Sequence, residues 1–417
     1  MEIKRDVYLQ KLVRKQGNGL VKIITGIRRS GKSYLLFTLF HNYLVNNGIP
    51  SDHIIEVALD DRSNLSLRNP DNMLQFIKER IKDEQRYYII LDEVQLLAEF
   101  EDVLNSLLHI NNADVYVTGS NSKFLSSDII TEFRGRGDEI RVYPLSFAEF
   151  VSAYSGSKDE AWDDYCNYGG LPLILKEETI EDKTNYLLSQ LKKVYISDIM
   201  ERNRIQNPIE FDELLDILAS SIGSFTSPKK LSNTFQSVKN KKISDKTIRQ
   251  YLEYMQNAFL ISKARRFDVK GKKYINVPVK YYFEDVGLRN ALLAFSQTEE
   301  NHIMENIIYN ELRIRGYQVA VGIVDVYGKD ENGITTKQQL EVDFVATQGS
   351  KKYYIQSAYA LPSSSKIIQE QRPFLKINDS FKKIIIVRDN IQVRRNEQGI
   401  ATIGVINFLL NENSLDL

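Results

Sequence analysis

Gly26-Ile27-Arg28-Arg29-Ser30-Gly31-Lys32-Ser33 decides how this 417-residue chain is read. The stretch fits G-x-x-x-x-G-K-[ST], and its setting is the required one. A β-branched run, Val21–Thr25, precedes it and an amphipathic helical stretch, Ser33–Asn46, follows. Glycines at 26 and 31 let backbone N–H groups curl round phosphate oxygens, and the helix start adds its positive end. Gly26, Ile27, Arg28, Arg29, Ser30 and Gly31 are the expected cradle. Lys32 is expected to reach the β- and γ-phosphates of ATP, and Ser33 to ligate Mg²⁺.

Downstream, Tyr87-Tyr88-Ile89-Ile90-Leu91-Asp92-Glu93-Val94-Gln95 is an apolar strand ending in adjacent carboxylates. Beside a phosphate loop, Asp92 would hold Mg²⁺ through water and Glu93 would orient or deprotonate the attacking water. The strand expected at Ile54–Leu59 falls between the two motifs. That order suits P-loop enzymes with an added strand and a catalytic glutamate rather than nucleotide kinases. Further strands are expected at Val115–Thr118 and Glu139–Val142, and helices at Asp71–Asp83 and Phe100–Ile110. The rhythm is that of a parallel sheet covered by helices. Thr118-Gly119-Ser120-Asn121 reads either as a sensor of the γ-phosphate, through Ser120 or Asn121, or as an ordinary strand-end turn. Arg136, in Phe133-Arg134-Gly135-Arg136-Gly137, either stabilises transition-state charge, on its own subunit's nucleotide or a neighbour's, or is a surface arginine.

Composition narrows the class. The formal net charge is zero, which excludes a uniformly basic nucleic-acid coat. A single cysteine, Cys166, excludes an intramolecular disulfide. No stretch approaches the ~20 apolar residues of a membrane-spanning helix. The opening residues lack a signal-peptide pattern. Cytoplasm is therefore the expected compartment, with no membrane partner, and homo-oligomerisation is left open. The length calls for two or three domains.

Against the balanced total, residues 227–280 hold fourteen Lys and Arg and three acidic residues. Two short helices and a hairpin around Val269–Lys273 are expected there, the second helix presenting Lys246 and Arg249. Arg265, Arg266, Lys270, Lys272 and Lys273 would furnish a wing suited to phosphates. Packing against other parts of the chain is the alternative. In the tail, Glu341 and Asp343 lie two apart on a strand and so on one face, and Glu305 on the preceding helix can join them. A working metal nuclease would place an acid and a lysine on the next strand, where this chain has Gln356 and Ala358. Lys366, or a lysine from elsewhere, would have to substitute.

Gly-Ile-Arg-Arg-Ser-Gly-Lys-Ser, Leu-Asp-Glu-Val-Gln, Thr-Gly-Ser-Asn-Ser, Gly-Arg and Pro144-Leu145-Ser146-Phe147-x-Glu149-Phe150 occur here in the order seen in a group of prokaryotic AAA-type ATPases. Lys280-Tyr281-Tyr282-Phe283-Glu284-Asp285-Val286-Gly287-Leu288-Arg289-Asn290 and Glu341-Val342-Asp343-Phe344 fit the same group. The chain resembles this family, whose members carry a C-terminal domain of unknown function, over nearly its whole length. The resemblance implies an α/β architecture of four parts. These are an AAA-type P-loop domain over residues 1–150, a helical lid over 151–222, a winged helix-turn-helix over 223–295, and a degenerate restriction-endonuclease-like domain over 296–417. An ATP-hydrolysing switch acting on or near nucleic acid is the expected function. A regulatory nucleotide-binding module and an ATP-gated nuclease are the rivals.

Overall fold

The computed structural model describes residues 3–119, 135–239, 243–297, 299–329 and 335–416. Ser120 and Asn121, expected in the sensor cluster, lie outside the described residues. The chain divides into two compact units, Met1–Pro144 with Asn257–Phe259, and Leu145–Gln256 with Leu260–Leu417.

The first unit is built on a parallel sheet of β1 (Val21–Thr25), β2 (Ile54–Ala58), β3 (Tyr87–Asp92), β4 (Ala113–Thr118) and β5 (Gly137–Arg141), in the order β2-β3-β4-β1-β5. β1 and β3 are buried along their whole length. That explains why they read as unbroken apolar runs instead of alternating ones: helices cover both faces. The helices are α1 (Asp6–Arg14), α2 (32–46, with wider π turns over Leu35–Phe40), α3 (Pro70–Lys78) and α4 (Phe100–Leu108). On one face Val103, Leu104 and Leu107 of α4 pack with Ile89, Leu91 and Val117. Full burial of each such side chain stabilises the fold by about 1.5–3 kcal/mol. α3 starts where Asn69 caps Asn72 N and Pro70 takes the first turn. It stops at Lys78, short of the expected Asp83, because Glu79-Arg80-Ile81-Lys82-Asp83 offers the core only one apolar residue.

The second unit begins with helices α5 (Phe147–Ser152) and α6 (Lys158–Tyr168), each opened by a serine–glutamate capping box. A long helical run α7 (180–202), α8 (Pro208–Ser220), α9 (Pro228–Lys239) and α10 (Asp245–Asn257) follow. Then comes an eight-stranded mixed sheet. Its strands are β6 (Ile261–Asp268), β7 (Lys273–Phe283), β8 (Gln318–Lys329), β9 (Thr335–Gln348), β10 (Lys351–Ala358), β11 (Lys382–Val387), β12 (Arg394–Arg395) and β13 (Ala401–Gly404), in the order β12-β13-β11-β10-β9-β8-β6-β7. Helices α11 (Val286–Leu292), α12 (Glu300–Ile314), α13 (Ser364–Gln371) and α14 (Val405–Leu410) complete it. The hairpin forms around 269–272 as expected, but it is not a separate wing. β6 pairs in parallel with β8, Arg266 opposite Val321 and Asp268 opposite Ile323, so the sheet runs across the boundary expected between 295 and 296. Among the described residues no helix is long and apolar enough to cross a membrane.

The stretch from Lys280 to Asn290 is a polar spine inside this unit. The Asp285 carboxylate accepts the N–H of Gly170 at 2.7 Å and of Leu288 at 3.0 Å. Arg289 is fully buried and donates to Ala219 O and Gln297 O. Asn290 donates to Cys166 O and Asn167 O, and Asn306 bonds both the N–H and the carbonyl of Phe283. Buried polar groups need partners, and here they tie helices, hairpin and sheet together.

Candidate nucleotide site

The loop Gly26–Gly31 joins β1 to α2 at the carboxyl end of the sheet. Gly26 has φ 137°, and a Cβ there would stand 2.0 Å from Val142 O, so only glycine fits. Gly31 and Arg29 also take positive φ. Arg5 holds the loop from beneath: buried, it donates to Ser30 O and Tyr143 O, both at 2.8 Å. No motif marks this arginine, and sequence reasoning missed it. Lys32 is buried and donates to Gly26 O and Ile27 O at 3.0 Å. Burial pulls its ammonium down to about 8, against the pull of Glu93 and Asp92. Among the described residues the buried Ser30 hydroxyl has no hydrogen-bond partner, as suits a cradle made for anionic oxygens. Arg28 is half-buried and Arg29 exposed.

β4 lies between β1 and β3 and brings Thr118 to both acids. The Thr118 hydroxyl donates to Asp92 Oδ1 and accepts the Glu93 N–H at 3.0 Å. Asp92 is also hydrogen-bonded to Ser33. Burial raises its carboxyl and these two hydroxyls lower it, leaving a net rise. Ser33 and Asp92, the two expected magnesium ligands, are therefore in contact, and an oxygen pair of this kind suits a hard cation. Glu93 leaves the strand in a left-handed conformation, φ 51° and ψ 48°, and Gln95 Nε2 donates to its Oε2.

Arg136 meets β1 at its amino-terminal end. Its carbonyl accepts the N–H of Val21, at the start of β1. The phosphate loop leaves the other end of that strand, roughly 13 Å away at ~3.3 Å per residue. The guanidinium bonds Asn105 Oδ1 at 3.1 Å.

In the second unit, Lys246, Arg249, Arg265, Lys272 and Lys273 are exposed, and among the described residues none has an ion-pair partner. Arg265 lies over the ring of Tyr274, 4.5 Å from its centroid. Arg266 leaves the expected set, because it is buried with its guanidinium on Gln339 Oε1 at 3.0 Å. Lys270 donates to Asp325 O.

Glu305, Glu341, Asp343 and Gln356 do come together. A groove of about 730 Å³ is lined by His302, Glu305, Asp343, Gln356, Ser357 and Lys366, among others. The lysine that meets the acids is not Lys366, which pairs with Glu370 at 2.6 Å. It is Lys280 of β7, buried and bonded to Glu305 at 2.8 Å and Glu341 at 2.5 Å. Tyr282 donates to Glu305 at 2.6 Å. Burial works against both charges. The carboxylates Glu305, Asp343 and Glu341 nevertheless raise Lys280, and the cation keeps Glu305 below its ordinary value. Asp343 is pushed well above the carboxylate range by burial and the Glu305 charge. It accepts the Ser357 N–H at 2.7 Å. Among the described residues no group of three or more acidic, histidine or cysteine side chains could hold a metal ion.

Residues 18–151 match the AAA domain family, and residues 159–299 match a domain of unknown function (DUF8612). A Haemophilus influenzae protein described as uncharacterized is 32% identical over 415 residues, 98% of each chain. The uncharacterized protein MJ1544 of Methanocaldococcus jannaschii is 27% identical over 97% of this chain and 87% of its own length. Among solved structures, the Walker-type ATPase of Pyrococcus abyssi is 15% identical, with a TM-score of 0.48 over 70% of this chain and 96% of that one. The phosphate loop, the acidic strand end and the threonine between them all fall within the matched AAA segment. With a relative aligned from end to end, the chain belongs to a prokaryotic family of AAA-type P-loop ATPases that carry a C-terminal domain of unknown function.

Proposed function

We propose that the first unit binds ATP with Mg²⁺ and hydrolyses it, and that the nucleotide state governs how the second unit engages nucleic acid. One observation carries the hydrolytic reading: Ser33, Asp92, Thr118 and Glu93 form one hydrogen-bonded group at the strand ends beside Lys32. Ser33 and Asp92 would hold the magnesium ion, whose chemistry is to neutralise charge on the β- and γ-phosphates. Lys32 exchanges its loop carbonyls for phosphate oxygens. Glu93 takes a proton from water as the water oxygen bonds to the γ-phosphorus. The bridging β–γ P–O bond breaks, leaving ADP and phosphate. The exposed cations on α10 and the β6–β7 hairpin, without ion-pair partners among the described residues, support contact with a phosphate backbone.

Phosphate release measured against protein concentration, with and without DNA, tests both parts. Turnover that rises with DNA is the expected result. Tight nucleotide retention without turnover would replace this reading with that of a regulatory module. Specific activity that climbs with concentration would assign Arg136 to a neighbour's nucleotide. In that case Arg136→Ala mixed with Glu93→Gln protein recovers some activity at shared interfaces.

A further inference from the structure

We propose that Gln95 is a positioning residue for Glu93, its side-chain amide fixing the carboxylate in the orientation from which it takes the proton of the attacking water. The inference rests on the hydrolytic reading above. It begins with the backbone. A glutamate in the left-handed region is uncommon and strained, so the surroundings must impose it. Here the conformation is held on both sides. The Glu93 N–H is bonded to Thr118 Oγ1, and its carbonyl accepts the Leu96 N–H at 2.9 Å, opening the tight turn Val94–Leu96. Val94 is fully buried and Leu97 nearly so, which pins that turn to the core. The consequence is directional: the chain doubles back, and the residue two places on returns its side chain to the carboxylate.

Gln95 Nε2 donates to Glu93 Oε2. The other end of the same amide, Oε1, is buried and among the described residues has no hydrogen-bond partner. An unpaired buried acceptor costs stability, so this end of the amide contributes nothing to holding the fold. Glu93 is thus the only polar group among the described residues to which this side chain is bonded. Anchoring one carboxylate oxygen restricts rotation about the last bond of a flexible side chain. A general base gains from that because proton transfer requires hydrogen-bond reach and alignment.

The test uses the full chain and three variants. Gln95→Ala removes the amide. Gln95→Glu keeps its shape and removes the N–H donor. Gln95→Ala in the Glu93→Gln background asks whether the two side chains act as one. Expected for Gln95→Ala and Gln95→Glu is a fall in kcat of about 10–100-fold, the cost of a misplaced catalytic group. ATP affinity, KM and melting temperature should stay close to those of the unmodified chain. In single-turnover measurements with excess protein, the double variant should be no slower than Glu93→Gln alone, since residues acting as a unit are not additive. An unchanged kcat in both single variants would overturn the inference. So would an equal, additive loss in the Glu93→Gln background, or a loss that follows ATP affinity instead of kcat. Absence of turnover in the unmodified chain is a different result, because it removes the hydrolytic reading itself.

Discussion

Two groups of carboxylates in this protein differ in what neutralises them. At the end of β3, Asp92 and Glu93 are bonded to hydroxyls and an amide, while the nearby Lys32 ammonium is engaged with loop carbonyls. In the second unit, Glu305 and Glu341 close on the ammonium of Lys280, and Asp343 is pushed towards its neutral form. The first arrangement has no ammonium bonded to either carboxylate among the described residues. The second has a cation of its own in Lys280. Acidic side chains brought onto one face therefore do not make a metal site. What decides is whether the fold has already provided the counter-charge.

The largest effect should separate the two groups by activity. Glu93→Gln should keep ATP binding and lose turnover by roughly 10²–10⁴, the range for removal of a general base. Asp343→Asn should leave turnover unchanged, and a matching loss there would dissolve the contrast. By stability the order reverses. Lys280→Met leaves Glu305 buried with its cation gone and should destabilise the second unit by about 3–5 kcal/mol in denaturant unfolding. Adding Glu305→Gln should recover most of the loss.

The two lysines offer a finer comparison. Lys32→Ala removes the cation facing the phosphates and should weaken ATP binding by about 10–100-fold, as expected for a charge-assisted hydrogen bond. In the free protein Lys32 is held near 8 by burial, and phosphates raise it again, so ATP binding above pH 8 should take up protons. Calorimetry at pH 8.5 in buffers of different ionisation enthalpy reads that uptake, and Lys32→Ala should abolish it. Lys280, raised by its carboxylates, adds nothing to it. The last expectation is a null effect: no nicking of plasmid, single-stranded or branched DNA with Mg²⁺ or Mn²⁺, with or without ATP. Cutting that disappears in Asp343→Ala would break the comparison and make Lys280, not Lys366, the lysine of an active site.

The first unit was legible because its signals are local. A phosphate loop is contiguous, and a strand buried on both faces reads as Tyr87–Asp92 does. The acids of the tail were also found, since residues two apart on a strand share a face. Lys280 was not placed among them. It lies on β7, and no spacing rule links it to Glu305 or Glu341; only the pairing of distant strands does. Arg5 was missed for the same reason, its partners Ser30 and Tyr143 being far away in sequence. Arg266 was misread because basic residues in a hairpin look alike in a sequence. The parallel partner β8 decides which of them is buried. Gln95 stood inside a recognised motif, but its bond to Glu93 depends on a left-handed residue that no local preference announces.

The pairing of β6 with β8 also bears on how the chain is made. A ribosome delivers Arg266 well before Val321, and at ~5–20 residues per second the gap is on the order of seconds. During that time the hairpin has formed only one of its two edges, and the other, bearing Arg266 and Phe267, waits as an open template for any strand that meets it. A chain cut near residue 300 keeps that edge permanently. Stopping synthesis there should yield aggregate, where a stop after β13 leaves β6 paired on both sides.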